Sequence, residues 1–221
     1  IGKPVDDTIT AGVMVSLNHD KTTTVYNSGS IETSGVMLAP YASVKLNDVL
    51  SLDLSGGVGL GHAKQTRAPF GPVITGEFDN TTVFGSATLN ASKWSGLWFT
   101  SGKLGMNASH TKRSAFTESD ATFNAAKGST LVQASLGGSV GYWMDPMLVY
   151  LDGAYVYDLK HPAPTAIGAS NDRDELRVAL GMQINGTGKW QGVSGGASLS
   201  HTFLRSQQSG TSIDFSIRME F

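Results

Sequence analysis

Five histidines, His19, His62, His110, His161 and His201, are the residues of this sequence best suited to move protons or bind a metal. Two of them have a carboxylate close by in sequence, Asp20 beside His19 and Asp158 before His161. A hydrolase would also need a nucleophile or an activated water held by a third, orienting group. Cysteine is absent, which removes thiol nucleophiles, thiolate metal sites and disulfides. Gly56-Gly-Val-Gly-Leu-Gly61 has the glycine density of a phosphate loop, but no helix follows it. Asn107-Ala-Ser and Asn185-Gly-Thr match the glycosylation sequon, yet they fall inside or beside predicted strands. No catalytic residue, metal site or cofactor is expected from these patterns.

The elements that would hold these residues have a period of two. Ile9, Ala11, Val13, Val15 and Leu17 alternate with Thr10, Gly12, Met14 and Ser16. Leu50, Leu52, Leu54, Val58 and Leu60 alternate with Ser51, Asp53, Ser55 and glycines. Eight further segments repeat the pattern, ending on Ile213, Phe215, Ile217, Met219 and Phe221. Short connections at 47–48, 92–96, 145–146 and 186–188 alternate with longer ones at about 20–33, 66–76, 112–129, 160–173 and 205–210. Ten strands of roughly 10–14 residues with this asymmetry describe an all-β, transmembrane, antiparallel up-and-down β-barrel. Residues 1–8 form a short segment on the short-turn, periplasmic side, and 9–221 form the barrel.

Composition agrees with this architecture. Only 15% of the 221 residues are charged and the net charge is −2, which excludes a nucleic-acid partner or a polybasic anchor. No run approaches the length of a transmembrane helix. The start at Ile1 predicts that a segment precedes it. The charges Lys45, Asp53, Lys103, Asp152, Asp158, Arg177, Asp214, Arg218 and Glu220 all fall on the polar face. A Lys or Arg facing mid-bilayer costs about 2–4 kcal/mol, so that face is the lumen and the apolar face meets lipid. Trp94, Trp98, Trp143 and Trp190 lie at or next to short turns, where a periplasmic aromatic girdle belongs. The histidines fall near the outer ends of the upward strands, on the lipid side. There they form either a ring that binds lipopolysaccharide phosphates or a partner, or plain interfacial residues replacing tyrosine. A ring spreads them too widely to share one ion.

The terminal segment Asp214-Phe-Ser-Ile-Arg-Met-Glu-Phe221 resembles the insertion signal of outer-membrane proteins, with Phe215, Ile217, Met219 and Phe221 as its apolar positions. Ser216 stands where that pattern often has glycine. The chain from Ile9 onward is similar to the translocator (β) domain of autotransporters. The likeness rests on Ala11-Gly-Val-Met-Val-Ser-Leu17, Met37-Leu-Ala-Pro-Tyr-Ala-Ser-Val-Lys-Leu-Asn-Asp48, Phe116-Thr-Glu-Ser119 and Arg177-Val-Ala-Leu-Gly-Met182. The resemblance implies a Gram-negative outer-membrane location, insertion by the barrel-assembly machinery and anchoring or export of a passenger. It also implies twelve strands with a pore-threading helix, against the ten counted here. Missing N-terminal strands would account for the difference, as would a smaller stand-alone barrel with a structural, adhesive or homo-oligomeric role. A narrow pore is the third alternative.

Overall fold

The computed structural model describes residues 2–24, 29–68, 71–161, 172–185, 193–204 and 210–219. All regular structure among them is β. The strands are β1 (Gly2–Pro4), β2 (Ile9–Thr24), β3 (Gly29–Lys45), β4 (Leu50–Arg67), β5 (Ile74–Ser95), β6 (Trp98–Arg113), β7 (Phe116–Thr117), β8 (Phe123–Asn124), β9 (Lys127–Met144), β10 (Met147–Lys160), β11 (Asp174–Asn185), β12 (Val193–Phe203) and β13 (Gly210–Met219). One sheet has the order β1-β2-β3-β4-β5-β6-β9-β10-β11-β12-β13, and β7-β8 form a separate hairpin. Apart from the β7–β8 insertion between β6 and β9, chain neighbours are sheet neighbours, the up-and-down order expected from the sequence. The pairs β1–β2, β2–β3 and β9 through β13 are antiparallel. The ten anticipated strands are present. The eleventh, β1, pairs Gly2 with Gly12 and Pro4 with Thr10, and is too short to show alternation.

The strands overrun their expected lengths, reaching 22 residues in β5. The anticipated loop 20–33 is largely ladder: Lys21 pairs with Glu32, Thr22 with Ile31 and Thr23 with Ser30. Hydrophobic alternation marks only the stretch that faces an apolar solvent. Beyond it, β-branched threonines and opposite charges extend the ladder with no apolar signal. The turn expected at 92–96 lies instead at Gly96-Leu97, where Gly96 takes φ +62°, a left-handed conformation suited to a glycine. Asn47 closes the 46–49 turn by accepting from the amides of Val49 and Leu50 at 2.9 and 2.8 Å.

The contacts divide the chain into two units. The first comprises 1–44, 53–86 and 107–131; the second comprises 45–52, 87–106 and 132–221. Both have an inverted apolar distribution. In the first, Leu17 is 82% exposed; in the second, Phe215 is 81% and Ile217 76% exposed. Among the described residues the buried apolar ones are few, namely Ala39, Ala63, Phe78, Phe116 and Val156. Apolar side chains turned outward along whole strands are stable when the solvent is hydrocarbon.

The polar face is knitted by hydroxyl pairs across neighbouring strands. In the first unit these are Ser55–Ser86 at 2.6 Å and Thr82–Thr111 at 2.9 Å. In the second they are Ser101–Ser139 at 2.6 Å and Ser200–Ser212 at 2.7 Å. Glycine on this face admits aromatic rings. Tyr150 stands opposite Gly181 in the ladder, and a Cβ there would overlap the Tyr150 ring.

Candidate functional site

Four of the expected lumen charges converge in the second unit. Lys103, Asp152, Arg177 and Asp214 line one cleft of about 550 Å³ together with Tyr150. Lys103 Nζ donates to Asp152 Oδ2 at 2.5 Å, bridging β6 and β10. Arg177 turns to its own strand neighbour Glu175, with Nη2 2.6 Å from Oε1. Asp214 accepts from Ser212 Oγ at 3.3 Å. Two other expected charges serve the short-turn ends of strands. Lys45 pairs with Asp48 at 2.8 Å, and this bond holds the Asp48 carboxyl below its usual range. Asp53 accepts from Ser43 Oγ at 2.6 Å. Asp158 is fully buried and accepts from Gln133 Nε2 at 2.7 Å. The side chain of Arg218 and all of Glu220 lie outside the described residues. The mixed signs make this face a set of local pairs rather than a lining of one charge.

A second structure occupies the polar face of the first unit. The expected long loop 112–129 is a folded hairpin, β7 and β8, laid against β4 and β5. Phe116 meets Phe78 of β5 with ring centroids 4.9 Å apart, and the Arg113 guanidinium covers both rings at 5.0 and 5.4 Å. Ala63 completes this cluster. Gly76 leaves the room: a Cβ there would come within 2.7 Å of the Phe116 ring.

Reciprocal bonds pin both ends of the hairpin to β5. Ser114 N donates to Asp79 O at 2.8 Å while Asp79 N donates to Ser114 Oγ at 2.9 Å. Ser119 N donates to Thr75 O at 2.8 Å while Thr75 N donates to Ser119 Oγ at 3.0 Å.

Between the two pins sits Glu118, whose side chain is 3% exposed. It accepts from Gln65 Nε2 at 2.6 Å and from Arg67 Nη2 at 2.5 Å and Nε at 3.2 Å. The Arg67 bonds hold the Glu118 carboxyl below the ordinary range despite the penalty of burial. Asp120, 3.7 Å from Arg67, is held down chiefly by the Thr122 amide. Sequence alone gives this segment as a long loop. Its two phenylalanines, Phe116 and Phe123, were the available signal, since a solvated loop has no use for them.

The tryptophans divide between the faces. Trp94 packs on Phe99 at 5.0 Å and meets Trp143 edge-on at 6.4 Å. Phe99 shares its strand parity with Ser101 and Lys103, so this trio lies on the polar face. Trp98 pairs with Tyr142 at 5.0 Å on the apolar face, the position a lipid-facing girdle requires. Trp190 lies outside the described residues. Parity separates Trp94 from Trp98 because the turn moved to Gly96-Leu97.

Four histidines share one arrangement. Nδ1 of His19, His62, His110 and His201 lies 2.9, 2.9, 2.9 and 2.8 Å from Ser34, Asp79, Thr130 and Thr211. Each partner is on an adjacent strand. His161 follows the end of β10 and is half-buried. Among the described residues no group of three metal-ligating side chains comes together. Of the terminal apolar positions, Phe215 and Ile217 face outward, opposite Ala197 and Gly195. The Met219 side chain and Phe221 lie outside the described residues.

Comparison with known proteins follows this geometry. No curated relative matches the sequence. The translocator domain of the autotransporter NalP from Neisseria meningitidis superposes with a TM-score of 0.84 at 14% identity, over 100% of this chain and 78% of that one. The β domain of the Bordetella autotransporter BrkA gives 0.71 at 15% identity, over 100% and 86%. At such identities the superpositions establish the fold. The family model described as autotransporter beta-domain matches residues 1–200. This chain has the β-barrel fold of autotransporter translocator domains, and it belongs to the autotransporter β-domain family.

Proposed function

We propose that this chain works as the membrane-embedded anchor of a passenger in a Gram-negative outer membrane, with its polar face as the export path and the 112–129 hairpin closing that path at rest. It carries out no catalysis of its own. The observation that supports this reading is the docking of the hairpin on the polar face through Glu118, Arg67 and the Phe116–Phe78 stack. The hairpin covers the polar face of β4 and β5 at their long-loop end, where cell-surface loops belong in this class of barrel. Insertion would draw on the barrel-assembly machinery through the Phe215–Ile217 face of β13.

Planar-bilayer recordings test the reading. The wild-type protein should conduct rarely, and deletion of 115–125 should give steady openings. Steady conduction by the wild type would replace the resting plug with the narrow-pore alternative. A protein that shows no heat-dependent shift in gel mobility, and so never folds into a barrel, would remove the reading altogether.

A further inference from the structure

Three of the histidines belong to a repeated pattern. His19-Asp20-Lys21, His62-Ala63-Lys64 and His110-Thr111-Lys112 set histidine and lysine two residues apart on β2, β4 and β6. A strand returns to the same face every second residue. Each lysine therefore lies one step beyond its histidine, and each histidine one step beyond an apolar position: Leu17, Leu60 or Ala108. All six side chains are exposed. The bonds from Nδ1 to Ser34, Asp79 and Thr130 tie each ring to the adjacent strand and leave Nε2 on the opposite edge.

The same face carries carboxylates between these strands. Glu32 is 3.5 Å from His19 Nε2, and Glu77 is 3.6 Å from His62 Nε2 and 3.1 Å from Lys64. Lys21 and Lys112 have no ionic partner among the described residues.

We propose that this strip binds the phosphorylated headgroups of lipids surrounding the long-loop ends of the strands. The proposal rests on the reading that acyl chains cover the apolar face. A lipid whose tails lie along Leu17 and Leu60 brings its headgroup to the level of the histidines and lysines. Lys21 and Lys112 give phosphoryl oxygens a direct ammonium partner. With Nδ1 of His62 donating to the Asp79 carboxylate, that ring donates from Nε2 to phosphate only when both nitrogens are protonated, whereas His19 and His110, held by hydroxyls, can donate from Nε2 when neutral and gain a positive charge on protonation. Binding therefore takes up protons and strengthens as pH falls. The carboxylates set the starting point. Lys21, Lys64 and Lys112 are offset by Glu32, Glu77 and Asp79, so the strip becomes net cationic only as its imidazoles charge.

The test uses purified protein in dodecyl maltoside micelles, titrated with diphosphorylated lipid A and with lipid A stripped of both phosphates. Bound lipid is counted by native mass spectrometry at pH 7.5 and 6.0. The phosphorylated form should bind more tightly, and more so at pH 6.0. K21Q/K64Q/K112Q should weaken it about tenfold or more. H19Q/H62Q/H110Q should retain the binding at pH 7.5 and lose the gain at pH 6.0. Equal binding of the two lipids, or unchanged binding in both triple variants, overturns the proposal. If a triple variant fails to fold, K21Q and K112Q singly give the same reading. Wild-type protein without heat-dependent gel mobility would refute the membrane reading beneath the proposal rather than the strip itself.

Discussion

Replacing Glu118 with alanine should release the hairpin from the polar face while leaving the sheet intact. The substitution removes three hydrogen bonds, two from Arg67 and one from Gln65. Taking one partner from a buried ion pair costs about 3–5 kcal/mol, because the other charge is stranded. Here Arg67 is 33% exposed and keeps Asp120 at 3.7 Å, so about 2–3 kcal/mol applies. That raises the open population roughly 30- to 150-fold. Hydrogen exchange reads this directly, since the amides of Ser114 and Ser119 are bonded only while the hairpin is docked. Their exchange should accelerate by that factor, and amides of the β10–β11 ladder should not change. Unchanged exchange at Ser119 would show that Glu118 holds nothing in place. Equal acceleration in β10–β11 would show that it supports the whole fold instead.

Acid should mimic the substitution. The docked Glu118 has a depressed pKa, so its contribution is complete above the ordinary glutamate value of about 4.3. It fades as pH falls below that value and is gone below the depressed one, with Ser119 exchange rising over that window. Gly181→Ala should cost about 1–3 kcal/mol by forcing the Tyr150 ring aside; urea titration in micelles should show the loss, and Tyr150→Ala should make the same change nearly neutral. Brominated lipids should quench Trp98 and spare Trp94 and Trp143, as single-tryptophan variants would show. Lys103→Ala should strand the 23% exposed carboxylate of Asp152 and destabilise the second unit by about 1–3 kcal/mol in the same titration.

The strand order was legible because a period of two, repeated ten times with unequal connections, has few other solutions. Strand ends were not. Thr22, Thr23 and Ser30 carry no apolar signal, so the ladder they extend reads as loop. Gly96 shifted one turn, and with it Trp94 moved from the expected turn onto the polar face of β5, because alternation alone does not place a hairpin's two central residues. Charge predicted the polar face, and Lys103 and Asp152 do pair. Their pairing depended on strand register, as did the turns of Arg177 to Glu175 and Lys45 to Asp48. The hairpin escaped because Glu118 owes its role to Gln65 and Arg67, about fifty residues earlier. The histidine–lysine repeat was open to inspection in the sequence, but its meaning depended on knowing that the three strands share one phase.

The hydroxyl pairs bear on how a polypeptide slides past this wall. A Ser–Ser contact exchanges partners by rotating two C–O bonds, with no ion to desolvate and no long side chain to reorder. Each such pair offers a passing amide a brief, shallow resting place equivalent to the one before it. On the export path proposed above, a chain passing Ser101–Ser139 and Ser200–Ser212 would meet little friction and little preference for composition, which suits a conduit that must release whatever enters it.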